Sequence, residues 1–186
     1  MVVRLITILM LFNICLSIGF DPLYLNDKNR TPVERAGDLF QIAIPLSGLG
    51  YTYYSNDNIG RKQFWRTYLS SLTLTYILKY TIKKERPNGH CCESFPSGHT
   101  SAAFAGAMFI NNRYGSKVGI PAILLASFVG YSRVYAEKHY WEDVLAGALI
   151  SVISSIFYTT SINTNNENIS LFLNPLNNNI SINLKI

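Results

Sequence analysis

Apolar and polar positions along the chain recur at helical spacing and predict a bundle of helices. The longest pattern covers residues 61–85, and one face repeats every seven residues at Trp65, Leu72, Lys79 and Arg86. Residues seven apart are separated by about two helical turns, so these side chains are expected on one side of one helix. We therefore expect Trp65 and Leu72 to face the interior.

Four further apolar segments complete the predicted bundle. They cover residues 36–55, 96–112, 120–133 and 141–159. The first is expected to be a short or broken helix, because Pro45, Gly48 and Gly50 lie within it. The whole pattern predicts an all-α protein, a compact bundle of about five to six helices.

The N-terminal residues 1–19 have the pattern of an export signal. Arg4 precedes fourteen mostly apolar residues from Leu5 to Ile18, and this stretch is shorter than a membrane span of about twenty residues. The prediction is a signal peptide cleaved after Gly19, with an uncleaved N-terminal anchor as the alternative. We expect export to the cell envelope, in the periplasm or the inner membrane, with the functional site facing outside the cytoplasm.

The C-terminal tail, residues 161–186, differs in composition from the main domain over residues 20–160. It is rich in asparagine, and Ile180–Ile186 alternates between apolar and polar residues as a half-buried strand does. We expect this segment to pair with Ile169–Leu173 in a small β-hairpin. A disordered tail is the alternative.

The overall composition narrows the class of protein. Hydrophobic residues make up 48% of the chain and charged residues 15%, which excludes a disordered chain, a collagen-like chain and a coiled coil. The net charge of +5 suits an anionic substrate or surface and is too small to indicate nucleic acid. Because the uncharged stretches are short or polar, a soluble bundle and a membrane-seated bundle both stay open.

Three short motifs supply candidate chemistry, and the first is a pair of cations. Lys79 and Arg86 are seven residues apart, and Pro87 follows them. If both cations face the interior, they need an anion to neutralise them. The alternative is two solvated side chains at the surface.

The second motif is the run Pro96-Ser97-Gly98-His99-Thr100. It predicts a junction between a loop and a helix, where unpaired backbone N–H groups bind anions. Gly98 would let the backbone approach a ligand closely, Ser97 could cap the helix or donate to an oxyanion, and His99 could protonate a leaving group. The alternative is an ordinary capped helix with a chance histidine.

The third motif joins Ser132-Arg133 to His139 and Asp143. The four-residue spacing of His139 and Asp143 would let the carboxylate accept a hydrogen bond from one ring nitrogen, which leaves the other nitrogen nucleophilic. Arg133 could hold phosphate oxygens with a planar, bidentate donor. A surface pair at a helix start is the alternative.

In order and spacing, the three motifs resemble the three-part signature of the type 2 phosphatidic acid phosphatase (PAP2) superfamily. This superfamily also includes bacterial class A acid phosphatases and vanadium-dependent haloperoxidases. Every signature position is filled, and the resemblance covers about residues 36–160. It implies an all-helical bundle with the functional site at the ends of the central helices.

The resemblance also implies a role for each motif residue. Five residues would bind the substrate phosphate: Lys79, Arg86, Ser97, Gly98 and Arg133. His139 would attack phosphorus in line and be oriented by Asp143, so that a phosphohistidine forms. His99 would protonate the leaving alkoxide and then activate water against that intermediate, by a scheme that needs no metal.

The resulting functional prediction is a metal-independent phosphohydrolase that acts on a phosphomonoester or diphosphate. A phosphorylated membrane lipid is the favoured substrate, and we expect membrane association and no cofactor. A soluble broad-specificity acid phosphatase is the main alternative, followed by a vanadium-dependent haloperoxidase and a non-catalytic binding protein. Cys91 and Cys92 are expected to be free thiols, since their spacing does not suit zinc or an ordinary disulfide.

Overall fold

The computed structural model describes residues 30–89, 92–162, 169–174 and 179–184. The predicted signal or anchor over residues 1–19 lies outside them. The described residues contain five helices, which confirms the all-α prediction: α1 Pro32–Tyr54, α2 Asn58–Ile82, α3 Gly98–Tyr114, α4 Ser116–Tyr135 and α5 Trp141–Tyr158.

Helix α3 lies at the centre and packs against each of the other four helices. Small buried residues along it, such as Ala103 and Ala107, let the neighbouring backbones approach closely. Gly106 requires this closeness, because a Cβ there would lie 2.6 Å from the Cα atom of Pro45 in α1. Small side chains along α3 therefore determine how closely the neighbouring helices approach it.

Helix α1 is continuous over Pro32–Tyr54, so the prediction of a short or broken helix is wrong. Pro45 lies inside it against Gly106 of α3, and a Cβ on Gly48 would come within 3.0 Å of Ile110. Pro45 and Gly48 thus lie where α1 and α3 pack closely. The free energy of this packing outweighs the tendency of both residues to interrupt a helix.

The interior of the bundle is polar between α2, α3 and α5. Ser71 and Ser151 share a hydrogen bond of 2.7 Å, and Thr75 and Ser101 share another of 2.7 Å. The Ser151 hydroxyl also donates to the carbonyl of Ser101 at 2.7 Å. Buried hydroxyls joined in this way hold helices together and are satisfied without water.

The outer face of α5 is aliphatic. Leu145, Leu149, Ile153 and Ile156 are all exposed, while Ser151 on the same helix is fully buried. This arrangement is the reverse of a soluble amphipathic helix, which keeps its polar side outward. Helices α4 and α5 are also long and apolar enough to cross a membrane, judged by length and composition.

Beyond α5, the backbone forms the hairpin that the alternating pattern predicts. Strand β1 (Ile169–Asn174) pairs antiparallel with β2 (Asn179–Leu184). In this register Ile169 lies opposite Leu184, and Asn174 lies opposite Asn179.

Candidate active site

The chemistry-bearing motifs meet at one end of the bundle, which we call the site end. It contains the first two turns of α1, the first turns of α3 and α5, and the last turns of α2 and α4. Each helix end contributes a charged or polar residue to the site: Asp38, His99, Asp143, Lys79 and Arg133. The site is thus built from helix ends that are far apart in sequence, and the loops beside them add the remaining groups.

The ring of His139 is held by a backbone carbonyl. Its Nδ1 atom lies 2.7 Å from the carbonyl oxygen of Ser94 and 3.7 Å from Oδ2 of Asp143. The predicted hydrogen bond from the ring to Asp143 is therefore replaced by one to Ser94, because a separation of 3.7 Å exceeds hydrogen-bond range. The consequence is the same, since an Nδ1–H that donates to Ser94 leaves Nε2 unprotonated.

Asp143 instead fixes the loop that carries Ser94. Its Oδ2 atom accepts hydrogen bonds from the Ser94 hydroxyl at 2.5 Å and from the Tyr140 N–H at 2.9 Å. Its backbone carbonyl accepts from the Ser97 N–H at 2.9 Å, and its Oδ1 atom accepts from Lys84 at 2.8 Å. Asp143 therefore positions His139 through Ser94 and not by direct contact.

The electrostatic surroundings keep His139 neutral. Burial of the ring lowers its pKa from the ordinary value of 6.5, and the positive charges of Lys79 and Arg86 lower it further. The carboxylate of Asp143 and the Ser94 carbonyl oppose this effect. A neutral imidazole with a free Nε2 is the form that can act as a nucleophile.

Arg133 is fully buried and already has three partners. Its Nη1 donates to Oδ1 of Asp38 at 2.7 Å, its Nη2 to the carbonyl of Glu34 at 2.8 Å and its Nε to Ser132 Oγ at 3.1 Å. These contacts use three of its five N–H groups, so two remain to bind a phosphate. The binding of phosphate by Arg133 stays a prediction.

His99 shares the Asp38 carboxylate with Arg133. Its Nε2 atom lies 3.3 Å from Asp38 Oδ1. Burial lowers the pKa of His99 to about 3, the nearby Arg133 lowers it too, and Asp38 opposes both effects. The neutral form of the ring is therefore favoured in the free protein.

Lys79 and Arg86 both act on His139 but do not share a helix. Lys79 is buried in the last turn of α2, and its Nζ donates to the carbonyl of Glu93. Arg86 lies beyond the end of α2 at Ile82. The prediction that one helix carries both cations is wrong, although the loop brings their charges to the same ring.

Ser97 caps α3, as the second motif predicts. Its Oγ accepts from the Thr100 N–H at 3.5 Å and from the Thr100 hydroxyl at 3.0 Å, which leaves the Ser97 O–H as a donor. A Cβ on Gly98 would meet no atom within 4 Å. The backbone at Gly98 therefore borders open space, as a contact with substrate requires.

Sequence reasoning missed Asp38 and Ser94. The sequence does contain a signal for Asp38, because it is the one acidic residue in the apolar segment 36–55. A carboxylate in such a segment needs a buried partner. The sequence contains no such signal for Ser94, since it acts on His139 through a backbone carbonyl that every residue possesses.

Two expectations concern cysteine and metal. Cys92 is disulfide-bonded, so the prediction of two free thiols is wrong. Within the part of the chain that the structure describes, no group of three or more His, Cys, Asp and Glu residues lies together as metal ligands do.

Comparisons with known proteins agree with the resemblance that the three motifs show. A family model, the PAP2 superfamily, matches residues 64–167. A lipid A 1-phosphatase of Porphyromonas gingivalis is 32% identical over 134 residues, or 66% of this chain and 29% of that protein. The undecaprenyl-diphosphatase BcrC of Bacillus subtilis is 29% identical over 104 residues, or 50% of this chain and 52% of that protein.

A solved structure shares the fold. The crystal structure of Aquifex aeolicus LpxE aligns with a TM-score of 0.52 and 24% identity, covering 78% of this chain and 92% of that one. The structure is thus an all-α bundle with a cluster of charged groups at one end. The chain belongs to the PAP2 superfamily, as its three motifs predict. It spans about half or less of the length of the two curated relatives described above.

Proposed function

We propose that this protein is a membrane phosphohydrolase that removes phosphate from a phosphorylated lipid through a phosphohistidine. One observation carries the proposal: the hydrogen bond from His139 Nδ1 to the Ser94 carbonyl, which leaves a neutral Nε2 beside two cations. A nucleophile of this kind suits attack on an anion whose charge Lys79 and Arg86 neutralise. The relatives described above are named as a lipid A 1-phosphatase and an undecaprenyl-diphosphatase, which supports the reaction class.

The proposed reaction has two steps. In the first, Nε2 of His139 forms a bond to phosphorus while the bond from phosphorus to the leaving oxygen breaks, and His99 passes a proton to that oxygen. In the second, His99 takes a proton from water, whose oxygen attacks phosphorus and releases His139 and inorganic phosphate. A phosphate beside His99 adds negative charge and raises the pKa of His99, which favours the protonated form that the first step needs.

The surface of the bundle supports a membrane lipid as the substrate. Exposed aromatic residues lie at the site end, namely Tyr80, Tyr131, Tyr135, Tyr140 and Trp141. Others lie at the opposite end, namely Tyr51, Tyr53, Tyr54 and Tyr158. Aromatic belts around an aliphatic band are typical of proteins that cross a bilayer. Such a bundle would hold its site near lipid headgroups, and a site facing outside the cytoplasm remains the prediction from residues 1–19.

A phosphate-release screen tests this function, on the full chain purified from the cell fraction, membrane or soluble, in which it is found. We expect turnover of phosphorylated lipids in mixed micelles to exceed that of water-soluble phosphoesters. Activity should survive EDTA and be blocked by orthovanadate, which imitates pentacoordinate phosphorus. Preference for soluble esters by a protein found in the soluble fraction would favour the acid phosphatase alternative, and absence of any release would reject the proposal.

The open space at Gly98 gives a separate prediction for Gly98→Ala. Alanine at Gly98, the first residue of α3, meets no atom of a neighbouring segment within 4 Å, so the unfolding free energy should change by less than about 0.5 kcal/mol. Phosphate release should nevertheless fall by about 10²-fold, because the methyl group enters the space proposed for phosphate. Thermal unfolding and kinetics of the same preparation check both parts.

Gly50→Ala is the matched control for Gly98→Ala. Gly50 lies exposed in α1, and a Cβ there also meets no atom within 4 Å. This variant should gain about 0.5–1 kcal/mol of stability, because Gly50 lies inside a helix, and should keep wild-type activity. Full activity of Gly98→Ala would mean that phosphate does not approach this backbone.

A further inference from the structure

Lys84 lies where the chain leaves α2 and turns towards α5. Lys83 caps α2 in the left-handed conformation, with φ of 47° and ψ of 49°. The ammonium group of Lys84 then lies 2.8 Å from Asp143 Oδ1 and 2.7 Å from Glu142 Oε1. It also lies 4.3 Å from the centre of the Tyr140 ring, a cation–π contact that adds to its fixed position.

The two carboxylates that Lys84 contacts differ in burial. The Glu142 side chain is 68% exposed, while that of Asp143 is fully buried. An exposed ion pair contributes little, whereas a buried carboxylate needs its cation. Of the two contacts, the one between Lys84 and the buried Asp143 is therefore the one that matters for the site.

The backbone of Lys84 acts on the same loop as its side chain. The Ser94 N–H donates to the carbonyl of Lys84 at 2.9 Å. Ser94 is in turn bound to Asp143 through its hydroxyl and to His139 through its carbonyl. Lys84 thus holds both residues that determine the orientation of the His139 ring.

We propose that Lys84 is a positioning residue, which clamps Asp143 and Ser94 so that Nε2 of His139 stays free and aimed into the site. For its catalytic meaning this inference rests on the proposed phosphohydrolase function. The predicted effect of Lys84 on the protonation of His139 does not rest on that function, because it concerns the ring in the free protein.

The charges around His139 give the sign of the effect. Lys79 and Arg86 oppose the imidazolium form, the Asp143 carboxylate favours it, and the positive charge of His99, when present, opposes it. Lys84 neutralises Asp143. Removing its charge leaves the carboxylate uncompensated, so the imidazolium of His139 becomes more favourable and its pKa rises.

The test is an NMR titration of the full chain in detergent micelles with isotope-labelled histidine. The chain has three histidines, and the His139 signal is assigned from its loss in His139→Gln. We expect Lys84→Met to raise the pH midpoint of His139 and Lys84→Arg to restore it. Lys83→Met, at the exposed neighbouring lysine, should leave the midpoint unchanged.

Kinetics supply the second readout. Lys84→Met should lower kcat by about 10²-fold, as expected when a reacting group is misaligned, and should move the acid limb of the rate profile upward with the NMR midpoint. If Lys84→Met fails to fold, Lys84→Gln carries the same test, because it keeps a donor for Asp143 without the charge.

A His139 midpoint that is equal in wild type and in the uncharged variants overturns the inference, whatever their activity. A wild-type protein that releases no phosphate rejects the proposed function instead. The NMR comparison still decides the role of Lys84 in that case, so the two failures can be told apart.

Discussion

Replacing His139 with alanine is expected to abolish phosphate release while the bundle stays folded. The nucleophile is removed, and neither Ser94 nor Asp143 supplies another, because Ser94 only holds the ring through its carbonyl and Asp143 acts through Ser94. Loss of a nucleophile of this type costs at least about 10⁴-fold in kcat. The five helices should keep their packing, since His139 lies in the loop between α4 and α5 and not inside a helix.

The covalent intermediate provides a direct measurement for this variant. Wild-type protein quenched in denaturant during turnover should carry phosphate that is released in acid and stable in base, as phosphohistidine is. His139→Ala should carry none, while His90→Ala, the matched histidine control, should label and turn over as wild type does. Near-normal turnover by a folded His139→Ala protein would reject the phosphohistidine mechanism.

The motif residues of the site could be predicted from sequence because their types and spacing are specific together. Their contacts could not all be predicted. The partner of His139 is a backbone carbonyl, and Asp38 lies about one hundred residues before the Arg133 that it binds. Local spacing suggested Asp143 as the direct partner, but the loop at Ser94 comes between them.

The helices of the bundle were predictable from periodicity, but their ends and continuity depended on packing. Pro45 indicated a break in α1 that contact with α3 prevents. The seven-residue repeat from Lys79 to Arg86 indicated one helix, yet Lys83 ends α2 before Arg86 is reached. Hydropathy alone left the membrane question open, since a helix such as α5 turns its serines inward and its aliphatic side chains outward.

At the end of the bundle opposite the site, a buried ion pair joins three segments. Arg113 donates from Nε and Nη2 to the carboxylate of Asp57 at 2.7 Å each, and from Nη1 to the carbonyl of Thr160 at 2.9 Å. Asp57 also caps α2 by accepting from the Gly60 N–H at 2.8 Å. Arg113 therefore ties the start of α2 and the end of α3 to the segment that follows α5.

Arg113→Met is expected to destabilise the protein strongly, because it leaves the carboxylate of Asp57 buried without its cation. Breaking a buried pair in this way costs about 3–5 kcal/mol, which corresponds to a fall in Tm of about 6–20 °C for a chain of this size. Thermal unfolding in detergent measures it. Arg66→Met, at an exposed arginine of α2, should change the unfolding free energy by less than about 0.5 kcal/mol.

The pH dependence of this loss distinguishes the ion pair from simple packing. Hydrogen bonds from Arg113 lower the pKa of Asp57 against the effect of burial, and the Gly60 N–H lowers it further. The stability from this group is therefore present above the unfolded pKa of about 3.9 and is lost as the pH falls through the folded value. In Arg113→Met the uncompensated carboxylate takes up a proton more readily. The Tm difference from wild type should thus narrow as the pH is lowered from 7 towards 4, whereas a loss of packing alone would keep it constant.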